Sequence, residues 1–213
     1  MTISKSLLAT AALVASFGCS VSASAQVTGS VGGPLGLFLA LAGPMNPTGC
    51  TFATCTLGSG VGTIDKGRLY SVSVPGIAAK PVGTIGSYLS AGTTAGSPAT
   101  LKFSGLGLVD ISFMWGSPDT YNSLKVTTNT GVATNFMASA FFNPVNGNQG
   151  VASYVRFMAN AGQRITKVEF ASTQNAFEVS NFSTSVVPEP ATYALMATGL
   201  LALGAIAKRR KQA

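Results

Sequence analysis

The sequence predicts an all-β protein, a β-sandwich of the jelly-roll kind, and three observations carry that prediction. Between its two apolar ends the chain is rich in Gly, Ser, Thr, Ala and Asn and poor in charge, a composition suited to strands joined by many turns. From Leu101 onward, short runs of β-favouring residues alternate with Gly, Pro and Asn punctuation at spacings of about 8–14 residues. No helical stripe runs through 51–187 and no internal repeat is evident, which sets helical folds, solenoids and propellers aside. The chain divides into a leading segment 1–25, a body 26–185 long enough to bury one core, and a tail 186–213.

Segment 1–25 reads as a cleavable secretory signal. Lys5 supplies the positive start, and Leu7 to Phe17 form an apolar run too short to span a bilayer comfortably. Ala23-Ser24-Ala25 then offers the small residues that a signal peptidase accepts, so the expected cut falls after Ala25 and leaves Gln26 first. Signal peptidase and the Sec translocon are the implied partners. Lipoprotein processing at Cys19 fits poorly, because Ser16-Phe17-Gly18 lacks the expected Leu and puts a ring where a small residue belongs.

Within the body, residues 27–50 are punctuated by Gly and Pro, and periodicity leaves the apolar run Leu35 to Ala42 as either a buried strand or a short helix. Cys50 and Cys55 are the two cysteines outside the signal, and in an oxidising compartment they are expected to close a small disulfide loop. A zinc site would need more ligands than two cysteines and no histidine provide. Arg68 to Val74 alternates as a strand ended by Pro75-Gly76, and 83–98 reads as a long loop with at most one short strand. The strands expected next are Leu101–Ser104, Leu108–Trp115, Leu124–Thr128, Val132–Phe136, Ser139–Phe142, Ala152–Met158, Ile165–Phe170 and Phe177–Phe182.

The formal charge of +7 and pI near 9.6 suggest nucleic acid, but of 13 basic residues five are Lys5 and residues 208–211. The eight that remain in 26–187 form no stripe able to displace counterions, so nucleic acid is not an expected partner. Catalytic groups are sparse. The chain has no histidine, which removes the commonest general base and the Ser-His-Asp and Cys-His systems. Paired carboxylates are the remaining route to hydrolysis. Asp110 and Asp119 are the candidates for one cleft, although nothing in the sequence requires them to meet, and Glu169 and Glu178 read as solvated strand faces. The Gly-rich stretches 29–36 and 58–62 lack the setting of phosphate loops. The body is therefore expected to be non-catalytic, with neither cofactor nor metal.

One segment stands out as a candidate ligand surface, Trp115-Gly116-Ser117-Pro118-Asp119-Thr120-Tyr121-Asn122. Trp115 and Tyr121 would offer flat faces to sugar rings, while Asp119 and Asn122 would bond hydroxyls or ligate calcium. The competing reading puts the only tryptophan in the core and makes Ser-Pro-Asp an ordinary turn. Asn181-Phe182-Ser183 matches a glycosylation sequon by chance.

In the tail, Val187-Pro188-Glu189-Pro190-Ala191-Thr192 precedes an apolar run from Tyr193 to Ala207 and the basic cluster Lys208-Arg209-Arg210-Lys211. Pro188 and Pro190 hold the segment extended for a protease to grip. As a helix, residues 190–207 would measure about 27 Å, a marginal span of the inner membrane. The basic cluster stays cytoplasmic, which places everything before it outside. Motif, marginal helix and basic cluster in this order resemble the PEP-CTERM sorting signal, with Tyr193-Ala194 where an aromatic residue and Ala usually follow the motif. That resemblance implies handling by an exosortase, an integral-membrane transpeptidase-like enzyme that would recognise Pro188, Glu189 and Pro190. Phe113 to Leu124 and the two final strands further resemble one group of exosortase-dependent surface proteins. They imply an exported protein, held briefly in the membrane and then placed at the cell surface among extracellular polysaccharide or biofilm. A carbohydrate-binding module built on the Trp115–Asn122 turn is the alternative.

Overall fold

Strands form in this chain where alternation lets one side chain in two reach a core. The computed structural model describes residues 26–43, 55–58, 60–185 and 195–203. Strands β1 (Val27–Val31), β2 (Leu37–Phe38), β3 (Leu41–Ala42), β4 (Thr56–Leu57), β5 (Gly62–Asp65) and β6 (Arg68–Tyr70) are short. They are followed by β7 (Tyr88–Ala91), β8 (Ala99–Phe103), β9 (Asp110–Gly116), β10 (Asn122–Thr128) and β11 (Ala133–Met137). A 3₁₀ turn, Ala138–Ala140, leads to β12 (Ala152–Ala159), β13 (Ile165–Ser172) and β14 (Phe177–Thr184).

These strands make two antiparallel sheets of seven. One has the order β1-β12-β9-β14-β7-β6, with β2 also pairing β14, and the other the order β11-β10-β13-β8-β5-β4-β3. Strands β7 to β14 form two facing sets of four, β12-β9-β14-β7 and β11-β10-β13-β8, which is jelly-roll connectivity. The remaining short strands extend the edges.

The predicted β-sandwich is present, with local differences. Arg68 to Val74 stops being strand at Tyr70, and Val72 beyond it is exposed. Leu35 to Ala42 resolves into two two-residue strands rather than one strand or a helix. Ser139–Phe142 is not a strand. The amides of Phe141 and Phe142 both donate to the Ala138 carbonyl, and this turn carries both rings against Trp115. β1 has no counterpart among the expected strands. Its Val-Thr-Gly-Ser-Val sequence is weak alone and is fixed by pairing along its whole length with β12.

Between the sheets lies an aromatic core. Phe113 of β9 sits 5.2 Å from Phe170 of the opposite sheet and 5.5 Å from both Phe157 and Phe182. Phe170 also meets Phe177 edge-on at 5.3 Å, so rings from both sheets interlock. Such pairs add about 0.5–1.5 kcal/mol each beyond the area they bury.

β14 is buried along its whole length on both faces. Phe177, Val179 and Phe182 face the core, whereas Glu178, Ser180, Asn181 and Ser183 hydrogen-bond segments that cross outside the sheet. A register shift against β9 between Ser180 and Ser183, with Asn181 at φ 49°, inserts the extra residue that lets Phe182 return to the core. Residues 71–87 cross the outer face as a strap. Thr84 Oγ1 bonds Ser180 Oγ at 2.8 Å, and the Ile85 amide donates to Asn181 Oδ1 at 2.8 Å. Asn181 Nδ2 donates back to the Gly83 carbonyl at 2.9 Å and to the Tyr154 hydroxyl at 3.1 Å. The strap lies so close that a Cβ on Gly116 would stand 2.6 Å from Pro81, so only glycine fits there. Further along, the Leu35 amide donates to Ser183 Oγ at 2.9 Å.

Phe113→Ala should lower stability by about 3–5 kcal/mol, read as a shifted midpoint in denaturant unfolding. Asn181→Gly keeps the backbone freedom of this position while removing the strap bonds. It should cost about 1–3 kcal/mol, and a neutral result would mean that those bonds do not hold the strap.

Candidate functional site

Gly116, at the end of β9, pairs with both Ala152 at the start of β12 and Glu178 at the start of β14. The turns 117–121, 138–151 and 173–176 therefore gather at one end of the sandwich, where the strap and the 92–98 turn join them. A polar cleft opens there. It consists of two adjoining hollows, of about 430 and 240 Å³, which share Ala79, Gln149, Asn175, Ala176 and Glu178 in their walls.

Glu178 is the anchor of this cleft. It is only 3% exposed. Its Oε1 accepts the Ala79 amide of the strap at 2.9 Å, and its Oε2 accepts the Ser117 hydroxyl at 2.8 Å. Ser117 adopts φ 39°, an unusual left-handed conformation that turns the chain sharply after β9. Burial pushes the Glu178 carboxyl above its ordinary range, and the charge of Asp119 adds to the effect. The two hydrogen bonds oppose this rise without cancelling it.

Asp119 is half-buried in the smaller hollow. The turn 146–150 lies against it. The Gly147 amide donates to the Pro118 carbonyl at 3.0 Å, and a Cβ on Gly147, at φ 67°, would stand 2.6 Å from the Asp119 carboxylate. The Tyr121 hydroxyl donates to the Asn175 carbonyl at 3.3 Å, and burial together with the neighbouring Asp119 carboxylate holds it well above the usual phenol range. Asn175 braces the floor. Its Oδ1 accepts from Thr93 and Thr94, and its Nδ2 donates to the Gly76 carbonyl at 3.1 Å.

The candidate ligand surface thus splits in two. Asp119 and Tyr121 line the cleft. Trp115 and Asn122 are wholly buried and offer nothing to a ligand. The Trp115 ring stacks on Phe177 at 4.3 Å, and Asn122 Nδ2 turns inward to the Ala176 carbonyl. The carboxylates also pair differently from expectation. Asp110 stands at the far end of β9, bound to Thr184 and Ser185, so it does not meet Asp119. Glu178, expected on a solvated face, is instead the buried neighbour of Asp119, because the strap covers that face. Its outward position is legible from Phe-Glu-Val-Ser alternation, but the covering strap is not. Glu169 does lie on the outer face of the other sheet, where Lys125 and Lys167 each approach to 3.0 Å. Although burial opposes ionisation, those two lysines hold its carboxyl below the ordinary range.

Cys55 is buried and disulfide-bonded, while its expected partner Cys50 lies outside the described residues. So do Ala23, Ala25, Pro188, Glu189, Pro190, Lys208, Arg209 and Arg210. Of the expected sorting helix, residues 195–203 are described; they are helical and their leucines are exposed. Among the described residues no helix is long and apolar enough to cross a membrane.

β14, the strand that runs from the cleft, ends at Thr184. Residues 186–211 match the family model of the PEP-CTERM protein-sorting motif, so this is a PEP-CTERM sorting domain-containing protein. The motif implies an exported protein, transiently anchored at its C-terminus, whose sorting depends on processing by an exosortase. No curated protein and no solved structure matches the chain.

Because the folded state raises the Glu178 pKa, the native protein binds this proton more tightly than the unfolded chain. The resulting stability is fully present below the unfolded carboxylate value of about 4.3 and is lost as pH rises through the raised native value. Glu178→Gln should therefore flatten the decline of stability with rising pH, measured by denaturant unfolding across the acid-to-neutral range.

Proposed function

We propose that the chain is an exported, non-catalytic surface or extracellular-matrix protein, sorted by an exosortase, whose jelly-roll body associates with extracellular polysaccharide or biofilm. The observation that carries this reading is the abutment of tail and fold. β14 ends at Thr184, Ser185 is bound through its amide to Asp110 at 2.8 Å, and the sorting motif begins at residue 186. Processing on the exported side would release or transfer a complete domain without cutting a strand.

The N-terminal side is compatible with export through the Sec translocon and signal-peptidase cleavage after Ala25. Gln26 accepts hydrogen bonds at its Oε1 from Thr130 and Thr128, at 2.6 and 3.0 Å, and is knitted into the body. A cut before Gln26 would leave those bonds in place. The apolar run 190–207 would anchor the precursor in the inner membrane, with Lys208 to Lys211 on the cytoplasmic side. Cys50 is the proposed partner of Cys55.

A non-catalytic role is supported by the chemistry of the cleft. Both oxygens of Glu178 are engaged in holding the strap and the turn, and the sequence contains no histidine to serve as a general base.

Intact mass of the protein recovered from the cell surface tests the reading. Wild-type cells should yield a species lacking residues 1–25 and a C-terminal portion of the tail. Loss of the host exosortase, or replacement of Pro188, Glu189 and Pro190 by Ala, should leave a longer membrane-held form. The same mature species in all three strains would contradict exosortase sorting.

A further inference from the structure

We propose that the end cleft is a binding site for neutral, polyhydroxylated sugar units, such as the exposed chain ends of an uncharged glycan. This deepens the polysaccharide reading above and rests on it. It replaces the Trp115–Asn122 turn by a different surface, one in which Asp119 and Tyr121 remain and Trp115 and Asn122 take no part.

Size is the first argument. The larger hollow, of about 430 Å³, falls within the usual range of roughly 300–1,000 Å³ for small-molecule sites, and the smaller one continues it past Asp119. Chemistry is the second. The walls present a carboxylate at Asp119, an amide at exposed Gln149 and a hydroxyl at Ser73, groups that exchange hydrogen bonds with sugar hydroxyls. A carboxylate accepting from hydroxyls makes stronger bonds than a neutral acceptor does.

Charge then decides between sugar classes. Among the described residues, no Lys or Arg lines either hollow. The ion pairs lie elsewhere, on the outer face of the opposite sheet, where Lys102 faces Asp65 and two lysines face Glu169. A uronate or sulfated sugar would bring its charge toward Asp119 with no cation lining the cleft to offset the repulsion. Such glycans are disfavoured.

The site is also built in advance. Glu178 ties the strap to the 117–121 turn, and Asn175 ties the strap to the 92–98 turn, so little ordering entropy remains to be lost on binding. Its position suits an exported protein. Both ends of the body, Gln26 bonded to Thr128 and Ser185 bonded to Asp110, lie at the opposite end of the sandwich. β14 alone sets Thr184 roughly 23 Å from the Phe177 end beside the cleft. The cleft thus lies at the end of the body opposite Ser185, the residue before the sorting motif.

The test is titration calorimetry of the processed protein recovered from cells. It is titrated with neutral linear oligosaccharides of glucose, mannose and galactose, and with uronic-acid oligosaccharides of equal length. At least one neutral series should bind saturably, and the uronic series should not. Asp119→Ala should weaken neutral binding at least about tenfold, as expected for losing a bond to a charged group, in protein that still unfolds cooperatively on heating. Should Asp119→Ala fail to fold, the exposed Gln149→Ala variant is expected to weaken the same binding. Tighter binding of the uronic series, absence of neutral binding, or neutral binding unchanged in the folded variants would overturn the proposal. Co-purification of native polysaccharide with folded Asp119→Ala at the wild-type level would sink the cleft while leaving polysaccharide association standing.

Discussion

Strand β14 is buried on both faces, and the rest of the structure is arranged to make that tolerable. Its inner side chains close the aromatic core against Phe113, Trp115 and Phe170. Its outer side chains are polar, and a buried polar group without a partner costs about 1–3 kcal/mol. Four such groups along one strand demand a cover that can hydrogen-bond. The strap 71–87 and the segment around Leu35 supply it, meeting Glu178, Ser180, Asn181 and Ser183 in turn. The strap is therefore part of the fold rather than a loop laid over it.

The cleft follows from where that cover stops. At the Phe177 end of β14 the strap meets three turns and leaves a gap, and the gap is the cleft. At the Thr184 end the chain leaves the sheet for the sorting motif. Asp110 marks the boundary, with its carboxylate taking the Thr184 hydroxyl at 3.0 Å and the Ser185 amide at 2.8 Å. One strand thus runs from the cleft to the edge of the sorting motif.

The sequence disclosed the parts of this arrangement that depend on local pattern. The last strands could be placed from alternation, and the Trp115–Asn122 turn could be located from Gly, Pro and Asp. Pro-Glu-Pro, apolar run and basic cluster identified the tail in order. What was hidden depends on contacts far apart in the chain. Glu178 looked like a solvated residue because the strap that buries it lies about a hundred positions earlier. Trp115 could be read as a sugar platform because its stacking partner, Phe177, lies in the final strand. Ser139–Phe142 carried a strand-like composition, yet its rings were needed beside Trp115, and a turn delivers them where a strand would not.

Native-state hydrogen exchange on the strap addresses the central claim most directly. If β14 binds the strap as described, the amides of Ala79 and Ile85, which donate to Glu178 and Asn181, should exchange only with the opening that exposes β9 and β14. Exchange of both amides at the rate of an unprotected loop, while β14 stays protected, would show that the strand's polar face does not hold the strap. It would also show that the cleft is not preformed.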